Sequence, residues 1–190
     1  MSIAKALKID GFMARAELAW LAAQAGDHPL IAEVGSHKGR STRALADNCR
    51  GVVYAIDPWA GYRNNDGSQA RWIGDPDEAF ACFKRNLKDH LRKGRVVICR
   101  SGLREAAKKV LPLVDMVFID GDHRYEQVRN DILLAKRILK PGGLLCGHDY
   151  GHPLWPGVRQ AVNEIIGPSK IVLFDTIWSS VIIRTAKKSA

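Results

Sequence analysis

The chain has no apolar run of 18 residues, no C-x-x-C pair, no internal repeat and no low-complexity tract. The first absence excludes a helical membrane span. The N-terminal stretch "MSIAKALKIDGF" has neither an apolar signal core nor a cleavage site, so no export leader is expected. Cys49, Cys82, Cys99 and Cys146 are spaced for neither a redox pair nor a zinc site, and most stand in apolar segments. Buried free thiols are the expectation, and with them a cytoplasmic location. A long basic run is also missing, although the formal net charge is +9. Lys and Arg are spread from Lys5 to Lys188, many at polar positions of expected helices. Solvated helix faces account for that pattern, with an anionic partner as the alternative.

What is present suits one domain. A chain of 190 residues with 46% hydrophobic content can bury a full core. We expect a single domain over 1–190, with a helical segment over 1–26 and loose ends at Met1–Asp10 and Lys187–Ala190. Short apolar runs predict strands over 30–35, 52–57, 95–100, 115–120, 144–149, 170–175 and 179–184. Helical periodicity predicts helices over 12–24, 41–49, 75–94, 125–140 and 157–167. The third of these opens on Asp75 as N-cap with Pro76 behind it and closes at Gly94. Strands alternating with helices mean a mostly parallel sheet covered on both faces. The last two strands are separated only by Thr176, Ile177 and Trp178, too few residues for a crossover, so they must pair antiparallel. The segment 60–74, with Tyr62 and Trp72 near its ends, is long for a strand–helix connection and reads as a substrate loop or lid.

The loop after the first strand, "EVGSHKGRS", lacks the second glycine of the dinucleotide fingerprint and has His37 there. A pyrophosphate would meet a side chain. Glu33 offers a carboxylate to a cation, and the following helix N-terminus suits a carboxylate, so an amino-acid-bearing sulfonium nucleoside fits. Asp57 stands 22 residues after Gly35, at the tip of the next strand, where ribose hydroxyls are gripped. The rival role for Asp57 is a turn or cap before Pro58.

The segments "GFMARAELAWLAAQAGDHPLIAEVGSHKGRSTRALA", "VVYAIDPW", "MVFIDGDHRYEQVRNDILLAKRILKPGGLLCGHDY" and "PGVRQAVNEI" together resemble class I S-adenosylmethionine-dependent methyltransferases. The resemblance is to the small-molecule O-methyltransferase branch that holds the macrocin- and cephalosporin-pathway enzymes and, more distantly, catechol O-methyltransferase. It spans roughly 11–186 and implies a Rossmann-like α/β fold, with seven strands and an antiparallel C-terminal hairpin. It implies that Glu33, Gly35, Ser36, Gly39 and Ser41 form the methionine-side loop and that Asp57 binds the ribose. Pro58 and Trp59 would flank the adenine, Ser101 would reach its amino group, and Asp120 would stand beside the cofactor. Arg100 stands where relatives often carry an acid.

Two polar clusters, "IDGDH" over 119–123 and "HDYGH" over 148–152, end adjacent strands and should open at one sheet edge. By resemblance, Asp120, His148 and Asp149 match a metal-ligand set, and His123 matches a general base working with Asp120. His148 replaces a carboxylate found in metal-using relatives, which turns the expectation from magnesium toward manganese or iron, or toward no metal. Asp122 and Tyr125 read as positioning residues or caps; His152 and Trp155 read as pocket or plain loop. The expected acceptor is a hydroxyl of a small molecule or sugar. A nucleic-acid methyltransferase is the alternative raised by charge, although no Asn/Asp-Pro-Pro-aromatic motif is present. A non-catalytic cofactor-binding subunit is another. Trp20, on an apolar helix, offers a face for a homo-oligomer.

Overall fold

A computed structural model describes residues 1–61 and 74–182. Most of the expected lid at 60–74, with Tyr62 and Trp72, lies outside the described residues, as does the tail from Lys187. The strands are β1 (Leu30–Val34), β2 (Val52–Ile56), β3 (Val96–Cys99), β4 (Val114–Ile119), β5 (Leu139–Gly147), β6 (Val172–Phe174) and β7 (Ile177–Val181). The helices are α1 (Arg15–Asp27), α2 (Arg40–Asn48), α3 (Pro76–Asn86), α4 (Lys88–Arg92), α5 (Leu103–Lys109), α6 (Tyr125–Ile138) and α7 (Pro156–Ile166). They build one seven-stranded sheet in the order β3-β2-β1-β4-β5-β7-β6. Pairings are parallel from β3 through β5, and β7 runs antiparallel to both β5 and β6.

Strand alternation divides the core. Along β4, Met116 and Phe118 face the layer of α1, α2 and α3 with Leu18, Leu21, Leu45 and Phe83. Val117 and Ile119 face α5, α6 and α7 with Leu103, Val128, Ile132, Ala135 and Val162. Both faces are covered, so β4 is apolar almost throughout. Full burial of Phe83, Phe118 or Trp178 contributes roughly 1.5–3 kcal/mol each.

Several boundaries differ from expectation. The N-terminus is packed: Ala6 is fully buried, and the Ser2 N–H donates to Asn48 Oδ1 at 2.9 Å. Phe12, expected on the apolar face of the first helix, is exposed. The helix expected over 75–94 breaks at Leu87 (φ −105°, ψ 9°). There the buried Arg43 guanidinium takes the Asn86 carbonyl at 3.1 Å and both oxygens of Asp89, docking the break onto α2. α5 buries only Leu103 and Ala106, too little periodicity to announce itself. β5 begins at Leu139, five residues early, because Leu139 already pairs with Val114 before a register shift absorbs the Pro141-Gly142-Gly143 kink. The final hairpin is tighter than expected: Phe174 pairs with Ile177 across Asp175 (φ 53°) and Thr176. All four cysteines are free thiols, three of them buried.

Candidate active site

Four strand ends meet at one edge, where backbone bonds continue the ladder past the strands. The Gly35 N–H donates to Ile56 O (2.8 Å), Asp57 to Cys99 O (3.2 Å), Asp120 to Val34 O (2.8 Å) and His148 to Ile119 O (3.0 Å). The order reverses between β1 and β4, which places a crevice between their outgoing loops. Gly35 has φ +89°, and a Cβ there would lie 2.0 Å from the Asp120 carbonyl oxygen. The approach of the β4 loop therefore requires a glycine here by itself, a cause that spacing in the sequence does not reveal. Gly39 (φ +88°) is the N-cap of α2, and its missing Cβ makes room for Leu87.

Asp57 organises this loop. Its Oδ2 accepts the Ser36 and His37 N–H groups at 3.1 and 2.9 Å, and its Oδ1 accepts that of Trp59 at 2.7 Å. Trp59, expected beside an adenine, is instead 4% exposed. Its indole N–H donates to His37 O at 2.8 Å, and its ring packs on Phe80 and Phe83 at 4.7 and 5.0 Å. The fold uses it as core beneath the loop. Glu33 is fully buried. Its Oε2 accepts the hydroxyls of Ser36 and Thr42, while Oε1 has no hydrogen-bond partner. Burial raises the Glu33 carboxyl to about 7, against the pull of the Ser41, Thr42 and Ser36 hydroxyls. Ser41 is buried on the first turn of α2.

Beside the loop lies a pocket of about 260 Å³. Gly35, Asp57, Pro58, Ser101 and Gly121 line it, as Gln127 and Asp131 do from α6. Asp122 and Arg124 also reach it, and they bond to each other through Arg124 Nε at 2.9 Å. Arg100 points elsewhere, to Asp77 at 3.0 Å and over the Phe80 ring.

The second part of the edge is crowded with charge. Donor atoms of Asp120, His123 and Asp149 lie within 4.8 Å of one another. His123 Nε2 is 2.9 Å from Asp149 Oδ2 and 3.8 Å from Asp120 Oδ1, close enough for charge pairing but without a well-formed hydrogen bond. Asp149 adopts φ 61°, which turns its carboxylate back toward His123. The Trp155 ring stacks on His123 at 4.7 Å and walls the cluster.

His148, expected among metal ligands, is placed differently. Its Nε2 bonds Glu17 Oε1 at 3.0 Å, and only Nδ1 faces Asp149 and Asp120, at 3.3 and 3.6 Å. His123 takes its place in the three-residue group. Glu17 was not anticipated. It is an acid on the buried stripe of α1, between Met13 and Leu21, and that position is its sequence signal. Burial opposes the Glu17 charge, but bonds from His148, Thr176 and the Ala14 N–H hold its carboxyl at about 2. Burial also works against charge on the two histidines, and the carboxylates overcome it. His123 rises to about 9 beside Asp120 and Asp149, and His148 to about 11 with Glu17 added. Asp149 is held well below the ordinary carboxylate range by both rings, despite its burial. Three acidic side chains thus face two histidines whose protonated form they favour.

The sheet order, with its antiparallel β7 and its glycine loop after β1, is that of a class I methyltransferase fold. Solved structures bear out the fold. The cofactor-bound protein Rv0187 from MTB superposes with a TM-score of 0.70 at 15% identity, covering 96% of this chain and 87% of that one. An O-methyltransferase from Bacillus cereus in complex with SAH gives 0.66 at 16% identity, with 93% and 86% covered. The O-methyltransferase TomG from Streptomyces achromogenes, involved in tomaymycin synthesis and bound to SAM, gives 0.64 at 15%, with 94% and 87% covered. A family model described as a methyltransferase domain matches residues 32–150, more than half of the sequence, and the chain belongs to that family. A stretch of 54 residues is 43% identical to an uncharacterized protein of Acanthamoeba polyphaga mimivirus, covering 28% of this chain. The match spans 24% of that curated relative's length.

Proposed function

We propose that this methyltransferase moves the methyl group of S-adenosylmethionine to a hydroxyl of a small molecule or sugar, with His123 as base and a divalent cation at Asp120 and Asp149. The observation that carries the reading is the adjacency of two unlike sites at one sheet edge. One is a preorganised loop and pocket of nucleoside character; the other is a convergent set of two carboxylates and an imidazole.

The residues fit both groups. Glu33, with a buried oxygen lacking a partner, suits an ammonium, and Asp57, Pro58 and Ser101 line the adjoining pocket. The pocket is smaller than the ~300–1,000 Å³ usual for whole drug-sized ligands, which suits the nucleoside end alone. Two carboxylates leave the remaining positions to water and the acceptor, an oxygen shell that suits magnesium or manganese. When bound, the cofactor brings an activated methyl and the cation polarises the acceptor hydroxyl. The chain must then orient the acceptor and accept its proton. A bound cofactor would supply the methyl carbon, its bond to sulfur breaking as the acceptor oxygen takes it, with S-adenosylhomocysteine as the leaving product. His123 Nε2 is the nitrogen placed for the proton. Engaging Asp120 and Asp149 with a cation removes the charges that hold His123 protonated, which leaves it able to act as base. Trp155 closes that side against water.

Thermal melting tests the reading. S-adenosylhomocysteine at ~100 times its dissociation constant should stabilise the fold by about 2.7 kcal/mol. For a chain of this size that raises the melting temperature by about 5–10 °C. Manganese should add a further rise that Asp120→Asn abolishes. A flat response to S-adenosylhomocysteine in folded protein removes the cofactor reading, and a flat response to manganese removes the cation.

A further inference from the structure

Three carboxylates line the pocket beside the glycine loop, and two of them are already engaged. Asp57 accepts three backbone N–H groups. Asp122 accepts the backbone N–H and guanidinium of Arg124. Asp131 differs. It enters the pocket from the second turn of α6 and is 2% exposed. Among the described residues its sole hydrogen-bond donor is the Gln127 side-chain amide, 3.1 Å from each of its two oxygens. A carboxylate has about four acceptor positions, so most of this one's capacity is unmet. Neither a helix-packing role nor solvation explains the charge, because Val128, Ile132 and Ala135 around it are apolar core. A buried carboxylate is retained where a donor arrives to pair with it.

The rest of the lining describes that donor. Val34, Ile56 and Leu103 offer apolar faces, and Gly35, Gly102 and Gly121 leave the walls flat, which suits a planar ring. Ser101 adds a hydroxyl to the lining. Arg100, where the family resemblance implies an acid, is turned away to Asp77.

We infer that Asp131 recognises the exocyclic amino group of the cofactor's adenine, supplying from α6 the carboxylate that the β3 loop lacks. The inference rests on the cofactor reading above. The amino group donates a hydrogen to one Asp131 oxygen, while the Gln127 amide steadies the other. The raised Asp131 carboxyl, at about 6 through burial and the nearby Asp122 charge, agrees with a group awaiting a donor. Asp131 is a specificity-determining residue in this account. It selects adenine against purines that carry a carbonyl at the same position, because the carbonyl oxygen would face a carboxylate with no proton between them.

Calorimetric titration of the full chain with S-adenosylhomocysteine and with S-inosylhomocysteine tests this. The second ligand replaces the amino group by oxygen. Wild type should favour the adenine ligand by ~10- to 100-fold, the range of a hydrogen bond to a charged group. Asp131→Asn can donate or accept there, so its preference should fall to within about threefold while S-adenosylhomocysteine still binds. An unchanged preference in Asp131→Asn overturns the assignment and leaves the cofactor reading standing. Equal affinity of wild type for both ligands overturns it as well, whether or not the variant folds. Failure of wild type to bind S-adenosylhomocysteine overturns both.

Discussion

The two halves of the sheet edge solve opposite problems. Around β1 and β2 almost every polar group is answered from within the chain. Asp57 takes three N–H groups, Trp59 ties itself to the His37 carbonyl, and hydroxyls of Ser36 and Thr42 converge on Glu33. Around β4 and β5 the charges answer one another imperfectly. His123 lies close to two carboxylates without a well-aligned bond, and His148 bridges Glu17, Asp120 and Asp149. The first half is rigid before any ligand arrives, as a site for an invariant cofactor should be. The second stores electrostatic imbalance that the proposed cation or acceptor would relieve. Preorganisation and frustration stand one loop apart because parallel strands deliver all their carboxyl ends together.

The sharpest way to break the rigid half is Gly35→Ala. Its methyl would lie 2.0 Å from a backbone oxygen, in a left-handed conformation that no neighbouring side chain can relieve. Overpacking and strain together should cost more than ~4 kcal/mol in urea denaturation. A loss below ~1 kcal/mol would mean that the β4 loop yields and the half is not rigid. In the frustrated half, Glu17→Gln should cost about 3 kcal/mol at pH 7, the lowering from 4.5 to about 2 expressed as free energy. The sign follows from the lowered value: the Glu17 contribution is complete above pH 4.5 and disappears as pH falls toward 2. Stability curves of wild type and variant should therefore converge over that acid range, run parallel from pH 4.5 to about 6.5, and draw together again as His148 loses its proton toward about 11. A gap that stays open as pH falls toward 2 would assign the stabilisation to another group.

The same comparison explains what was legible in the sequence. Alternation and loop length were enough for seven strands, the antiparallel end and the convergence of 119–123 with 148–152, because those follow from local periodicity. The glycine loop and Asp57 could be located from spacing alone. Their bonding could not, since Asp57 acts on backbone groups about 20 residues away and Gly35 answers to Asp120 across the sheet. Trp59 looked like an adenine wall because composition does not say which way a residue at φ 45° turns. Glu17 and Asp131 share a signal that could have been read: each is an acid on the apolar stripe of its helix. The exchange of His148 for His123 beside Asp120 and Asp149 had no such signal. It depends on Glu17, 131 residues earlier in the chain, claiming His148 first.

A smaller effect probes the frustrated half without harming the fold. Asn tolerates the left-handed backbone that Asp149 adopts at φ 61°, so Asp149→Asn should remain folded. It should still lose manganese affinity by at least the ~10- to 100-fold that even an outer-shell change costs, read by calorimetry or by the manganese paramagnetic resonance signal. Retained affinity would move the cation off this cluster.

The smallest effect tests whether the rigid half holds one deliberate imbalance. Ser36→Ala removes a hydroxyl 2.7 Å from Glu33 Oε2 and should cost about 1 kcal/mol of stability. It should also raise the Glu33 carboxyl beyond its value of about 7, followed by carboxyl carbon resonance titration. A raised carboxyl contributes stability that is full below its unfolded value of 4.5 and lost as pH climbs through about 7. Glu33 is thus held ready to lose a proton when a cationic group arrives. Binding of S-adenosylhomocysteine near pH 6 should then release a fraction of a proton, measurable as a dependence of binding heat on buffer ionisation enthalpy. Ser36→Ala should enlarge the release near pH 7, because more of its Glu33 starts protonated. No proton release in either protein would place the ammonium away from Glu33, and the half that looks complete would be complete without its ligand.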